Sequence, residues 1–348
     1  MRKRVLITGG AGFIAHHVVE HLLHNTDWDI ITLDRLDYSG NLNRLDEVVS
    51  KFHESERKRV KVVFHDLKAP MNPQIRGMIG QPNYILHLAA GSHVDRSIEF
   101  PLEFVYDNVI GTANLLEYAR FLPNLEGFLY FSTDEVFGPA PSWHNFGEWD
   151  RYNASNPYSA SKAGAEELCV AYQNTYKMPI MITHTMNVFG ERQNPEKFIP
   201  LCIQRVRDGE LISIHADATK KKAGSRFYIH AIDVSEAIFF CIQNEMWKRP
   251  AVGDPFEMAK CPKYNIVGKE EIDNLSLARR IANIQKKELI FEMVDFHGSR
   301  PGHDLRYALS GEVMRGLGWV PRISLTQRIY DVTEWSLAHP QWLLSSKT

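Results

Sequence analysis

What constrains this chain most is a rhythm. Over its first 190 residues, short and nearly continuous apolar runs alternate with longer segments that carry helical periodicity. The runs are Val5–Thr8, Asp29–Asp34, Val60–Asp66, Tyr84–Ala90, Gly127–Thr133 and Ile180–Met186. Strands without an exposed polar face are buried on both sides, as in a parallel sheet covered by helices. The segments between them, most clearly Leu102–Arg120 and Tyr158–Lys177, supply right-handed crossovers. The expected fold class is α/β, a Rossmann-type doubly wound parallel sheet.

After Gly190 the rhythm breaks. A helix over Lys197–Asp208, a polar loop at Asp217–Ser225, a strand and helix around Tyr228–Asn244 and a helical tail at Ile323–Leu344 are expected, with Pro and Gly punctuating Arg249–Pro255 and Ser299–Gly302. With 348 residues there is room for a second, smaller domain over the sheet's carboxyl edge. The expected division gives residues 1–187, with a returning segment at about 228–252, to the sheet domain. Residues 188–227 and 253–348 form the smaller, interrupted one.

Forty basic against 42 acidic side chains leave a net charge of −2, so there is no electrostatic reason to expect nucleic acid or an anionic membrane surface. No apolar stretch approaches the ~20 residues of a membrane helix. The start MRKRVLITGG breaks at Gly9, too early for a signal peptide. Four scattered cysteines and fifteen histidines show neither disulfide nor zinc spacing, so no metal is expected and the reading is cytoplasmic.

Residues 8–15, TGGAGFIA, follow the first strand and open a helix. Gly9, Gly12 and Ala15 fit G-x-x-G-x-x-[GA]. A side chain at the glycines would block the tight turn and keep the backbone from a pyrophosphate on the helix N-terminus. Asp34 ends the second strand, 22 residues beyond Gly12, where a carboxylate accepts both ribose hydroxyls and repels a 2′-phosphate. The expected cofactor is therefore NAD, despite the adjacent Arg35. Phe13, Ile14, Leu67 and Ala89 are its expected neighbours. Asp66 is either an adenine partner or an exposed strand-end acid.

Two further segments carry chemistry. NPYSASKAGAE at 156–166 puts Tyr158 and Lys162 one helical turn apart. A free tyrosine, with a pKa of about 10, is a poor base, and a neighbouring ammonium lowers that value. FSTDEVFG at 131–138 ends the fifth strand with Thr133, Asp134 and Glu135. Ligands bind off such strand ends, and two carboxyls there can be pushed apart in pKa, one acid and one base. In isolation the same residues are a surface pair and a polar strand cap.

On these residues the chain resembles the extended short-chain dehydrogenase/reductases, and within them the nucleotide-sugar 4,6-dehydratases of the dTDP-glucose type. DRLDYSGN at 34–41, HLAAGSHVDRSI at 87–98, NVFGERQNPEKFIP at 187–200, YNIVGKEEIDNL at 264–275, RPGHDLRYAL at 300–309 and LGWVP at 317–321 extend the match nearly end to end. Thr-Asp-Glu at 133–135 favours dTDP- or UDP-glucose dehydratases over GDP-mannose dehydratases and decarboxylases, which show Thr-Ser-Glu, and over 4-epimerases, which lack the acids.

The resemblance implies C4 oxidation by Tyr158 with Thr133 and Lys162, loss of the C5 proton to Glu135, and protonation of the departing 6-hydroxyl by Asp134. Hydride then returns to C6. It implies a nucleotide-diphospho-sugar substrate held by Ser92, Asn187, Glu196 and Lys197, with Arg226 and Arg300 on the diphosphate. His303 and Tyr307 lie near that end or serve as packing. The basic run Lys220–Lys222 reads mainly as solvated loop charge. A homodimer through the Tyr158 helix and the helix before it is also implied. Gly91 stands where the family usually has glutamate, and the segment around Arg226 lacks the usual Arg-Asp-Trp. A 4-epimerase or decarboxylase on the same fold and a non-enzymatic NAD-binding module are the other readings.

Overall fold

The computed structural model describes residues 2–254, 261–295 and 306–344. Its centre is a seven-stranded sheet. Six strands come from the first 185 residues: β1 (Arg4–Thr8), β2 (Asp29–Asp34), β3 (Val60–Phe64), β4 (Tyr84–His87), β5 (Gly127–Thr133) and β6 (Ile180–Thr185). The order is β3-β2-β1-β4-β5-β6, with Lys263–Ile266 as the outer strand beside β6. All pairings in it are parallel. The order reverses between β1 and β4, and in such sheets the crevice off the strands' carboxyl ends at that point holds the ligand.

Successive side chains of a strand point to opposite faces, and both faces here are dry. Val5 and Ile7 enter the core beneath the helices Phe13–Asn25 and Ala231–Gln243, while Leu6 enters the one beneath Gly111–Ala119 and Pro157–Tyr176. Each such fully buried side chain contributes about 1.5–3 kcal/mol. A third apolar core joins the helices Phe198–Asp208, Asn274–Ile284 and Leu325–Ala338. All four cysteines are free and buried, and no helix among the described residues is long and apolar enough to cross a membrane.

Several elements differ from expectation, each for a local reason. β4 stops at His87 because the Ala89 N–H donates to the Thr8 hydroxyl (3.2 Å) instead of continuing the ladder. β3 stops at Phe64, so Asp66 lies in the following turn, and β6 stops before Asn187, whose φ is +38°. The stretch Leu102–Arg120 is two α-helices, Pro101–Phe104 and Gly111–Ala119, separated by a π-turn at Val105–Ile110. That wider turn aims Asn108 at Gly91, whose N–H and C=O both bond the Asn108 amide (2.8 and 3.1 Å). The tail divides at Pro340 into the helix Leu325–Ala338 and a short 3-10 turn. The outer strand Lys263–Ile266 comes from sequence that was expected in the smaller domain.

Candidate active site

A cleft of about 510 Å³ opens over the carboxyl ends of β1, β4 and β5. Gly9, Gly12, Phe13, Ile14, Asp34, Asp66, Leu67 and Ala89 line one half of it. Gly9 has φ +71°, and a Cβ there would come within 2.9 Å of the Ala89 backbone. At Gly12 a Cβ would meet the Gly9 carbonyl at 2.8 Å. No side chain caps the helix Phe13–Asn25, whose first-turn amides therefore suit a pyrophosphate. The residues present fit a dinucleotide.

Asp34 is held rigidly. Its oxygens accept from the N–H groups of Ala11 (2.9 Å) and Leu36 (2.8 Å), leaving lone pairs for ribose hydroxyls. Arg35 is occupied by acids: it bonds Asp107 (2.5 Å) and Asp37 (2.7 Å) and lies 3.6 Å from Asp66. Asp66 is thus a cleft-wall acid that also accepts from the Lys68 N–H (2.9 Å).

The other half holds Thr133, Asp134, Glu135, Tyr158 and Lys162. Two local devices place them. Thr133 is the last residue of β5 and caps the 3-10 turn Asp134–Phe137 through the Glu135 N–H. Asn156 caps the Tyr158 helix in a reciprocal box with Ser159, with Pro157 at its first position. The same Asn156 donates to Glu135 (3.0 Å) and so ties the two segments together.

Burial pushes Asp134 up to about 7, and Glu135 adds to the shift. Its Oδ1 accepts from Thr133 (3.1 Å), and its Oδ2 has no hydrogen-bond partner among the described residues. Tyr158 departs from expectation. Burial, then Glu135, hold its phenol well above the ordinary value, although a hydrogen bond with Thr133 works the other way. The Lys162 ammonium, one turn along the same helix, donates to the Phe131 carbonyl (2.7 Å) and lies over the Tyr130 ring (4.2 Å). Burial brings Lys162 itself down to about 8.

Ser92, Asn187, Glu196, Lys197 and Arg226 all line the same cleft. Glu196 is exposed and faces His93 at 3.9 Å. Arg226 lies over the Tyr307 ring (4.7 Å) and its charge reaches Asp134. Tyr307 is buried among Val136, Phe137 and Met186 while also lining the cleft, so it packs and supports Arg226 at once. Arg300 and His303 lie outside the described residues.

Sequence reasoning missed the layer behind the cleft. Asn108 joins Gly91 to Ser161 (2.8 Å) on the Tyr158 helix, and Glu166 gathers Ser132, Tyr152, His184 and Lys263. Only Glu166 had a local signal, its place one turn beyond Lys162. Arg35 stands beside Asp34 in the sequence, but its partner Asp107 is 72 positions away.

The sheet order, glycine turn and Tyr-x-x-x-Lys helix at one cleft define an extended short-chain dehydrogenase/reductase. Within that class, the chain belongs to the family described as GDP-mannose 4,6 dehydratase, whose model matches residues 6–332. It is 32% identical to a dTDP-glucose 4,6-dehydratase of Escherichia coli, over 97% of this chain and 95% of that one. A dTDP-D-glucose 4,6-dehydratase of Mus musculus is 33% identical, over 96% and 88%. A dTDP-glucose 4,6-dehydratase of Streptomyces venezuelae, solved with NAD bound, superposes with a TM-score of 0.82 at 31% identity, covering 97% of this chain and 98% of that one.

Proposed function

We propose that this protein dehydrates a nucleotide-diphospho-hexose of the dTDP-glucose or UDP-glucose type to its 4-keto-6-deoxy sugar, with NAD as a resident cofactor. The observation that carries this reading is Asp134. It is a buried carboxyl raised to about 7, with one unpartnered oxygen, beside a second carboxylate at the end of β5. An oxidation or epimerisation at C4 has no use for a proton donor there; elimination of the 6-hydroxyl requires one.

NAD, held by Gly9, Gly12 and Asp34 with Phe13, Ile14, Asp66, Leu67 and Ala89 around it, supplies reversible hydride storage. Tyr158 Oη takes the proton of the 4-hydroxyl as a phenolate, the form that its hydrogen bond with Thr133 favours. Lys162 keeps a positive charge buried one turn below. The 4-ketone acidifies the C5–H bond, and Glu135 removes that proton. Asp134 gives its proton to the departing 6-hydroxyl, which leaves as water. Glu135 then returns a proton to C5, and solvent carries the proton that Tyr158 gained back to Asp134, which resets both groups. Positioning and proton transfer are the protein's contribution.

In the same reading Ser92, Asn187, Glu196 and Lys197 hold the sugar nucleotide, and Arg226, Arg300 and His303 serve its diphosphate end. Residues 1–187 with 228–252 form the NAD-binding unit. Residues 188–227 and those from 253 on form the substrate unit, apart from the strand Lys263–Ile266. The chain is cytoplasmic and homodimeric; exposed Leu102, Val105, Tyr106 and Ile110 before the Tyr158 helix supply an apolar face for the partner.

The test is mass spectrometry of products from dTDP-glucose, UDP-glucose, UDP-N-acetylglucosamine and GDP-mannose, each incubated in deuterated water. Loss of one water with one deuterium gained at C5, from dTDP- or UDP-glucose, is the expected result. An isomer of unchanged mass, inverted at C4, overturns the reading.

A further inference from the structure

Glu166 is fully buried, yet it carries no role in the chemistry above. It lies on the Tyr158 helix one turn beyond Lys162, so the two side chains share a face. Four other elements converge on its carboxylate. Ser132 of β5 and Tyr152 of the preceding loop donate hydroxyls to it. His184 of β6 approaches at 3.2 Å and Lys263 of the outer strand at 3.7 Å. Lys263 also donates to the Tyr152 hydroxyl at 2.5 Å. Such a group survives burial only if its charge is matched. Burial opposes its ionisation, but His184, Lys263 and Ser132 bring it down to about 2, so it is an anion at any working pH.

Two consequences reach the cleft. Ser132 immediately precedes Thr133, so the carboxylate ties the catalytic end of β5 to the helix that bears Tyr158. It is also the foremost group raising Lys162 against the desolvation that lowers it. Lys162 lies one turn from Tyr158 on the same helix and otherwise faces Cys169 on that helix, Tyr130 and the Phe131 carbonyl on β5, and His87 on β4, and its charge depresses His87 further. Glu166 is the only carboxylate in that set.

We propose that Glu166 is a positioning residue for proton transfer at Tyr158: its buried carboxylate keeps Lys162 cationic and registers Thr133 against the Tyr158 helix. The effect on turnover rests on the dehydratase reading; the effect on Lys162 does not.

The test compares the full-length protein with Glu166→Gln, Glu166→Asp and, as a control, the exposed neighbour Glu167→Gln. Carbon-13 nuclear magnetic resonance of the lysine Cε atoms across pH, with the Lys162 signal assigned by Lys162→Arg, reads its titration directly, and kcat against pH is measured in parallel. Glu166→Gln is expected to lower the Lys162 midpoint by about one pH unit or more. It should move the alkaline limb of kcat down by the same amount, with KM changed little. Glu166→Asp should restore most of both shifts, and Glu167→Gln neither. A Lys162 midpoint unmoved in folded Glu166→Gln overturns the proposal, whatever the melting temperature does, because a merely structural anion would alter stability alone. If the midpoint moves while no nucleotide sugar is turned over, the assignment of Glu166 holds and the dehydratase reading fails. Should Glu166→Gln not fold, Lys263→Met takes its place. Removing the cation that shields the carboxylate should raise the Lys162 midpoint, and an unchanged value overturns the proposal.

Discussion

The hydroxyl of Thr133 donates to Oδ1 of Asp134 at 3.1 Å, while Oδ2 of the same carboxyl has no partner among the described residues. One oxygen is fixed and the other is buried without a partner, in a residue that lines the cleft. Asp134→Asn keeps the shape and removes the transferable proton. Dehydration should fall by about 10²–10⁴-fold. Oxidation at C4 should survive, so reduced nicotinamide accumulates on mixing with substrate and is seen in the near-ultraviolet. A variant that dehydrates at the wild-type rate refutes the role.

The same carboxyl couples folding to pH. Its value rises from 3.8 to about 7 on folding, so the folded state binds the proton more tightly. The stability this contributes is complete below the unfolded value and is lost as pH climbs through the folded one. Asp134→Asn has no such dependence. Its melting temperature relative to wild type should therefore rise between about pH 5 and pH 8, as thermal denaturation at both values would show. A constant difference would mean that the carboxyl titrates normally.

Gly9 cannot be replaced quietly, since its φ is +71° and an added Cβ would lie 2.9 Å from the Ala89 backbone. Gly9→Ala should purify with little or no NAD, measured by chromatography of the nucleotide released on denaturation. Wild-type levels of retained NAD in that variant would place the pyrophosphate elsewhere.

Arg35 is engaged by Asp37, Asp66 and Asp107 and is not offered to a 2′-phosphate, which would also face Asp34. Like-charge repulsion of several kcal/mol makes the preference for NAD over NADP about 100-fold or more. Asp34→Ala should narrow that ratio by about tenfold or more, chiefly by weakening NAD. Calorimetric titration of both nucleotides decides it.

Leu102 is 70% exposed and Tyr106 55%. If these residues meet a second copy, replacing both by aspartate should halve the mass seen by light scattering without changing the circular dichroism spectrum. An unchanged mass points to a different interface or to a monomer.

Much of the site was legible because its parts are local. TGGAGFIA, Thr133-Asp134-Glu135 and Tyr158-x-x-x-Lys162 each span a few residues, and the first two lie where the strand pattern put a carboxyl end. The network behind them was not legible. Lys263 and Tyr152 are 111 positions apart, and only the addition of an outer strand brings them together. Periodicity was misleading in two places. Leu102–Arg120 keeps its helical pattern through a π-turn, because one extra residue barely disturbs the apolar spacing while it re-aims Asn108. Tyr158 and Lys162 share a face, but the depth of the site, which sequence does not record, turns the ammonium toward the Phe131 carbonyl.

The strand Lys263–Ile266 closes the sheet beside β6 although it is made about eighty residues later. A ribosome therefore releases β6 with an unpaired, apolar edge long before its neighbour exists, and an edge of that kind invites association with other chains. Assembly of the sheet has to wait for the second half of the polypeptide. A fragment ending near residue 187 is consequently an incomplete sheet seeking a partner.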